Sequence, residues 1–179
     1  MIEPAPIYLV PIQLSNDSLL LPLSERISAT FHRETVIISL PIDPSSTYEP
    51  SRNQYNSSLL LAQLVAMRPG NAHRILGVTE LDLYIPILTF VFGEAQFNGP
   101  AAVVSTHRLR NEFYGLARND QVLQERFEKE AIHELGHTFG LVHCRDDLCV
   151  MSVSTYVENI DLKSCRLCQS CLKVYQNWV

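Results

Sequence analysis

The first 143 residues of the chain contain no cysteine, and all five cysteines lie between positions 144 and 171. A disulfide framework normally extends over the whole of a small secreted chain. The odd count, the clustering and the lack of a basic and then apolar signal sequence at the N-terminus favour a reduced compartment and a metal site. We therefore expect a cytoplasmic protein.

The chain also lacks long apolar runs and an excess of positive charge. Its apolar stretches, such as residues 83–92, are interrupted by Pro86 and are too short to span a bilayer. The formal net charge of −5 argues against nucleic acid as a main partner. No internal repeat or low-complexity segment divides the 179 residues. We expect a single domain, a monomer, with no nucleic-acid partner and no membrane partner.

Segments typical of strands and helices alternate over the first two-thirds of the chain. Strands are predicted at residues 7–12, 34–40, 74–79, 89–92 and 101–105, and helices at residues 21–31, 59–68 and from 119 to about 139. The segment 43–56 holds two prolines and several Ser and Asn residues and is predicted to be a loop. A short helix is expected at about residues 168–178. This alternation favours an α/β sheet.

One stretch has the spacing of a catalytic zinc site, since residues 133–143 read His-Glu-x-x-His-x-x-Gly-x-x-His. On a helix, His133 and His137 lie on one face, one turn apart. Gly140 can adopt the left-handed conformation that ends a helix, which allows His143 to return as a third ligand. Three nitrogen ligands leave one tetrahedral position open for water, and an open position is typical of a catalytic zinc site.

Glu134 directly follows the first predicted ligand and is placed to act as the general base for that water. The alternative is an amphipathic helix whose histidines have only packing roles. Because the glycine and the third histidine also stand at the offsets that the full motif requires, we favour the zinc site.

The cysteines suggest a second metal site. Cys144 and Cys149 form one pair, and Cys165, Cys168 and Cys171 form two overlapping Cys-x-x-Cys pairs. Four thiolates can surround a zinc ion in a closed structural site, and a metal would supply order to a C-terminal segment that has little apolar content. We predict four ligands: Cys144, Cys149, Cys168 and Cys171. Spacing alone also permits Cys165 with Cys168, and free thiols or a disulfide pair are further alternatives.

Together these residues resemble the archaemetzincin family, a branch of the metzincin clan of zinc metallopeptidases. The resemblance rests on the zinc motif, on the adjoining Cys144, Cys149 and Met151, and on the later Cys-x-x-Cys pair. Less specific similarity lies upstream, in residues 7–12, 77–84 and 90–95.

The resemblance implies a compact metzincin-like α/β (α+β) domain, with a twisted mixed sheet of about five strands and about three helices. Residues 1–140 would form the sheet and the helices, and residues 141–179 a zinc-stapled C-terminal part. Met151 would lie in a tight turn beneath the catalytic zinc, as structural support and not as a ligand. Cys168 and Cys171 would fill the Cys-x-x-Cys positions of a second zinc site, so Cys165 would be an extra residue of this chain.

The predicted activity is zinc-dependent hydrolysis of peptide bonds in a peptide or protein substrate, with two zinc ions per chain. A zinc-binding interaction module with little or no proteolysis is one alternative, and a narrow aminopeptidase is another. Glu134 argues against the module, because a purely structural site of three histidines needs no base. The sequence alone identifies no site for a substrate amino terminus.

One segment and two single residues carry weaker predictions. Residues 89–95 are a candidate edge strand for pairing with an extended substrate, with Gly93 allowing close approach. An ordinary sheet strand followed by a turn is the alternative. Val153 stands where some metzincins carry a tyrosine near the zinc, so no tyrosine is predicted to stabilise the oxyanion. Glu130, one turn before Glu134, is predicted to be a solvated or salt-bridged surface group.

Overall fold

A computed structural model describes residues 5–178, which form two sheets and five α-helices. The strands are β1 (Ile7–Ile12), β2 (Thr35–Ile37), β3 (Tyr48–Glu49), β4 (Gln54–Asn56), β5 (Arg74–Thr79), β6 (Leu83–Tyr84), β7 (Gly93–Ala95) and β8 (Ala101–Ser105). The helices are α1 (Leu20–Phe31), α2 (Ser57–Met67), α3 (Asp120–Thr138), α4 (Val157–Leu162) and α5 (Gln169–Trp178). Among these described residues, no helix combines the length and the apolar character needed to cross a membrane.

The larger sheet has five strands in the order β2-β1-β5-β8-β7. The first four run parallel, and β7 pairs antiparallel with β8 at the edge. The central strands β1, β5 and β8 are apolar along nearly their whole length because helices cover both faces of the sheet. Ile7 and Leu9 pack with α1 and α3 on one face, and Val10 and Ile12 pack with α2 on the other. The predicted mixed α/β fold is confirmed.

The prediction of a strand at residues 89–92 was wrong. In this segment Val91 alone forms a bridge, to Leu83, and the chain joins the larger sheet only at Gly93. The apolar pattern predicted a strand, but Phe90 makes side-chain contacts outside any strand pairing. Its ring lies 4.3 Å from the Arg108 guanidinium and packs edge-on against Phe92. The strand predicted at residues 34–40 is also shorter than expected, at three residues.

The prediction of a loop over residues 43–56 was wrong in part. β3 and β4 pair antiparallel within it, and β4 continues into a second, three-stranded sheet with β6. The same segment ends in the cap of α2, since the side chain of Asn56 accepts hydrogen bonds from the backbone of Ser58 and Leu59. Pro44 and Pro50 lie outside both strands, and so they remove no N–H group from the strand pairing.

An aromatic cluster joins α1, the end of α3 and α5. The Phe31 ring lies 5.0 Å from that of Phe139 and 5.4 Å from that of Tyr175, measured between centroids. The Tyr175 hydroxyl donates a hydrogen bond of 2.6 Å to the Phe31 carbonyl, so the polar end of this buried ring is satisfied. The cluster therefore ties the C-terminal helix to the body of the fold.

We expect Phe31→Ala to lower the free energy of unfolding by about 3–5 kcal/mol, because it removes a fully buried ring and leaves a cavity. Urea unfolding followed by circular dichroism measures this change. Leu21→Ala, on the same helix but 63% exposed, is the control and should change the value by at most about 0.5 kcal/mol. Equal effects of the two substitutions would contradict the role given to the cluster.

A buried ion pair joins α3 to the segment after α4. The Lys163 ammonium lies 2.9 Å from the Glu130 carboxylate, and neither side chain has appreciable contact with solvent. Lys163 also donates a hydrogen bond of 3.3 Å to the carbonyl of Ser152. The prediction of a surface position for Glu130 was therefore wrong, although Glu130 does form a salt bridge, which was one of the two predicted states. Sequence spacing along one helix could not reveal a cation from a distant segment.

Lys163→Met should destabilise the protein by about 3–5 kcal/mol, because it leaves the Glu130 carboxylate buried without its cation. The double variant Lys163→Met/Glu130→Gln should recover part of that loss, since no unpaired charge stays buried. Thermal and urea unfolding of the single and double variants give the coupling free energy. Strictly additive effects would mean that the two residues do not act as a pair.

Candidate active site

The long helix α3 presents His133 and His137 on one face. Its N-terminus is capped by Asn119, whose side chain accepts a hydrogen bond of 3.0 Å from the Val122 backbone. The two Nε2 atoms of the histidines lie 3.1 Å apart, as expected for side chains one turn apart. The helix therefore supplies two nitrogen atoms to one point.

Backbone carbonyls fix the orientation of both rings. His133 Nδ1 donates to the Val150 carbonyl at 2.9 Å, and His137 Nδ1 donates to the Leu141 carbonyl at 2.7 Å. Since a carbonyl oxygen only accepts, the proton is assigned to Nδ1 and the lone pair of each Nε2 faces the other. Burial lowers the pKa of His133 and of His137, which keeps both imidazoles neutral and able to bind a metal.

The end of α3 directs the chain back toward these rings. Gly140 has a φ of 78°, and the Gly140 and Leu141 amides donate to the carbonyls of His137 and Gly136, each at 3.0 Å. This pair of bonds is a Schellman closure, in which glycine accommodates the left-handed residue. The ring of His143 then lies 5.3 Å and 5.0 Å from the rings of His133 and His137.

The three histidines fit a metal ion. One ring nitrogen from each lies within 4.8 Å of the other two. Zinc–nitrogen bonds of about 2.1 Å at tetrahedral angles place two ligand nitrogens about 3.4 Å apart, close to the separation of the His133 and His137 Nε2 atoms. The structure thus brings together all three predicted histidines, and they could hold one metal with an open position toward the cleft.

Glu134 lies beside this point and is almost fully buried. Burial raises the pKa of its carboxyl group well above the usual range, the nearby Glu130 adds to the rise, and Lys163 opposes it. The carboxylate packs against strand β7 at Gly93, where a Cβ atom would lie only 2.6 Å from Glu134 Cγ and 2.7 Å from the Val103 carbonyl oxygen. Glycine is therefore required for the strand to pass this close to the helix.

The histidines and Glu134 line a cleft of about 420 Å³. Its upper wall is formed by Ile85 and residues 88–94, which include all of the predicted rim segment 89–95 except Ala95, and its lower wall is formed by residues 153–155. A larger cavity of about 510 Å³ lies near Arg110 and Arg118 and contains none of the predicted site residues. The predicted site residues therefore line the smaller of these two cavities.

Met151 lies directly against α3, fully buried. A Cβ atom at Gly136 would collide with Met151 Sδ, so the helix carries a glycine where the methionine packs. The Met151 carbonyl accepts a hydrogen bond of 2.9 Å from the Cys144 backbone, and the adjacent Val150 carbonyl holds His133. The turn thus supports the histidines from below and offers no ligand atom toward them.

Four cysteines gather next to the histidine cluster. The Sγ atoms of Cys144 and Cys168 lie 3.7 Å apart, and those of Cys149 and Cys171 lie 3.8 Å apart. Tetrahedral zinc–sulfur bonds of about 2.3 Å give an edge of about 3.8 Å, so the four thiols could hold one zinc ion. A hydrogen bond from the Cys171 amide lowers the pKa of Cys168 to about 7, which favours the thiolate that a metal needs.

Cys165 is not part of this group. Its thiol is partly buried near Arg26 and Glu128, and burial raises its pKa to about 11. The structure therefore places four of the five cysteines together, in the combination that the sequence favoured.

Sequence reasoning missed three residues that support or line the site. Gly136 makes room for Met151, and Lys163 pairs with Glu130, one turn before Glu134 on α3. Glu94 lines the cleft and receives hydrogen bonds from the start of α2. Gly136 occupies an open position of the zinc motif and the other two lie outside it, and each acts on a residue from a distant part of the chain.

Comparison with known proteins places these features in a family. The family model described as Peptidase family M54 matches residues 35–177. An archaemetzincin from Methanocaldococcus jannaschii is 43% identical over 171 residues, covering 96% of this chain and 93% of the relative. An archaemetzincin from Pyrococcus furiosus is 41% identical over 173 residues, covering 93% of this chain and 90% of the relative.

Solved structures agree with the sequence comparison. The crystal structure of archaemetzincin from Methanopyrus kandleri has a TM-score of 0.83 at 36% identity, covering 96% of this chain and 93% of that one. A zinc-dependent peptidase from Methanocorpusculum labreanum has a TM-score of 0.83 at 32% identity, covering 94% of this chain and 99% of that one. The chain therefore belongs to the archaemetzincins, peptidase family M54.

Proposed function

We propose that this chain is a zinc-dependent peptidase, with the catalytic zinc on His133, His137 and His143 and with Glu134 as the general base. The observation that carries the proposal is the convergence of three ring nitrogens beside a buried carboxylate in an open cleft. Membership of peptidase family M54 supports it, as does the structural match to a zinc-dependent peptidase.

Glu134 has the environment that a general base requires. When bound, zinc supplies a Lewis acid that lowers the pKa of a water molecule from about 16 toward 7 and stabilises negative charge on a carbonyl oxygen. The raised pKa of Glu134 suits a carboxylate that accepts a proton from the attacking water and later releases it to the leaving amine. Its packing against Gly93 holds the carboxylate in one place.

Strand β7 is positioned to bind the substrate backbone. It pairs with β8 on one side only, and so it leaves its outer edge toward the cleft. An extended peptide can add to such an edge by main-chain hydrogen bonds. The apolar side chains of Ile85, Leu88 and Phe90 on the upper wall can contact substrate side chains. A peptide bond would thereby lie across Glu134 and the three histidines.

We also assign a second zinc ion to Cys144, Cys149, Cys168 and Cys171. The sulfur separations support this assignment, and the neighbouring contacts give it a function. Cys144 directly follows His143 in the chain, and its backbone amide donates a hydrogen bond to the Met151 carbonyl. A metal on these thiols would therefore hold both the third histidine and the methionine turn in place.

Glu134→Gln should lower kcat/KM for any cleaved peptide by about 10²–10⁴-fold, because the amide cannot accept the proton. A peptide library analysed by mass spectrometry identifies a substrate, and steady-state kinetics then give the ratio. Zinc content should stay at the wild-type level, since Glu134 is not a proposed ligand.

Glu125→Gln is the matched control, because Glu125 lies exposed on the same helix and the charge change is identical. It should cleave the peptide at the wild-type rate. Equal turnover by the Glu134 variant and wild type would remove Glu134 from the mechanism. Zinc binding without cleavage of any peptide by the wild type would instead favour an interaction module.

Cys168→Ser should lower the zinc content from two ions per chain to one, because it removes a ligand of the proposed thiolate site. Cys165→Ser should keep both ions, since Cys165 lies outside that cluster. Inductively coupled plasma mass spectrometry of the purified variants measures the zinc-to-protein ratio. Loss of an ion from the Cys165 variant alone would mean that the wrong thiols were assigned.

A further inference from the structure

Glu94 is an acidic side chain of the cleft that the proposed mechanism does not use. It lies on edge strand β7, next to Gly93, and lines the same cavity as the histidines and Glu134. Burial is the main cause of the raised pKa of Glu134, and the charge of Glu94 adds to it. Glu94 is thus a half-buried residue that lines the cleft.

The first turn of α2 holds this carboxylate in position. The Ser57 hydroxyl donates a hydrogen bond of 2.5 Å to Glu94 Oε2, and the Ser58 hydroxyl donates one of 2.8 Å to Oε1. The positive end of the α2 dipole also favours an anion here. Since an ionised carboxylate has about four acceptor positions, these bonds leave capacity for another donor.

No ion pair among residues 5–178 neutralises Glu94. The other two carboxylates of the cleft differ from it. Glu130 is paired with Lys163, and Glu134 is buried beside the histidines. The hydroxyl donors orient Glu94 but carry no charge. A fixed, half-buried carboxylate without a cation in a binding cleft is a recognition group for a positively charged ligand.

We propose that Glu94 forms a subsite for a positively charged group of the substrate, on the amino-terminal side of the cleaved bond. The group is an ammonium or guanidinium, supplied by a free peptide amino terminus or by a Lys or Arg side chain. This inference rests on the proposed peptidase function, because it uses the same cleft and deepens the substrate class.

The direction of β7 gives the side of the bond. The strand passes Glu134 at Gly93, and Glu94 is the next residue, about 3.8 Å further along the Cα trace. A peptide that adds antiparallel to β7 runs the opposite way. Its residues opposite Glu94 and Ala95 therefore precede those opposite Gly93. The cation that meets Glu94 belongs to the residue at, or next to, the amino-terminal side of the bond that lies over Glu134.

Glu94 also has a structural function, since it ties β7 to the start of α2 through Ser57 and Ser58. The two roles predict different results for two substitutions. Glu94→Gln keeps the length of the side chain and can still accept a hydroxyl, but it loses the charge. Glu94→Asp keeps the charge but is too short to reach both hydroxyls equally well. Binding of a cation requires the negative charge of the side chain, whereas the hydrogen bonds to Ser57 and Ser58 require its length.

The test measures kcat/KM for four versions of one peptide that the wild type cleaves. These carry a free or an acetylated amino terminus, and Lys or norleucine at the position before the cleaved bond. We expect the wild type to prefer a cationic version, and Glu94→Gln to reduce that preference by about three- to tenfold. Glu94→Asp should keep most of it. Glu25→Gln, exposed on α1, makes the same charge change outside the cleft and should keep all of it.

Either cationic version supports the subsite, and the one that is preferred identifies the source of the charge. Loss of the preference with the free amino terminus identifies an exopeptidase site, and loss with Lys identifies a side-chain subsite. Equal preference in wild type and Glu94→Gln overturns the proposal. A loss in Glu94→Asp as large as that in Glu94→Gln also overturns it, because only the structural tie would then explain the effect.

A binding measurement separates this proposal from the proposed function. Fluorescence anisotropy gives the affinity of the same four peptides for Glu134→Gln protein, with and without Glu94→Gln. Glu94→Gln should weaken binding of the cationic versions relative to the neutral ones. If the wild type cleaves no peptide, the peptidase function fails, and the affinity ratio still decides whether Glu94 recognises a cation.

Discussion

At the end of α3 the chain reverses through Gly140, whose φ of 78° is a conformation that other residues adopt only at a cost. The reversal satisfies the last carbonyls of the helix and sends the following residues back beneath it. His143 then faces His133 and His137, and the residue after it begins the cysteine cluster. If this turn were absent, the helix would offer two nitrogen atoms instead of three.

The segment after the turn, residues 141–151, orients and packs against side chains of helix α3. The Val150 carbonyl orients His133, the Leu141 carbonyl orients His137, and Met151 fills the space that Gly136 leaves. Behind them the buried Lys163 neutralises Glu130. The geometry and the charge of the histidine site are thus set by contacts between α3 and the segment that follows it.

The sequence could predict what depends on local spacing. The offsets from His133 to His143 follow from helix geometry and one glycine, and the strands of the parallel sheet stand out as apolar runs. Long-range contacts could not be predicted in this way. Glu130 was placed at the surface because its partner lies in a distant segment, and Phe90 was read as a strand residue although Arg108 covers its ring. The hydroxyl ties of Glu94 likewise come from α2.

The order of the parts along the chain has a consequence for synthesis. The sheet, the proposed base Glu134 and two of the histidines all precede the turn at Gly140, whereas His143, Met151 and the thiols follow it. A nascent chain grows from its N-terminus and can fold its early elements first. The sheet and the helix α3 can therefore form on the ribosome while the proposed zinc site and the lower wall of the cleft are still incomplete. A metal centre arranged in this order would be completed late, after the sheet and the helix that carry it.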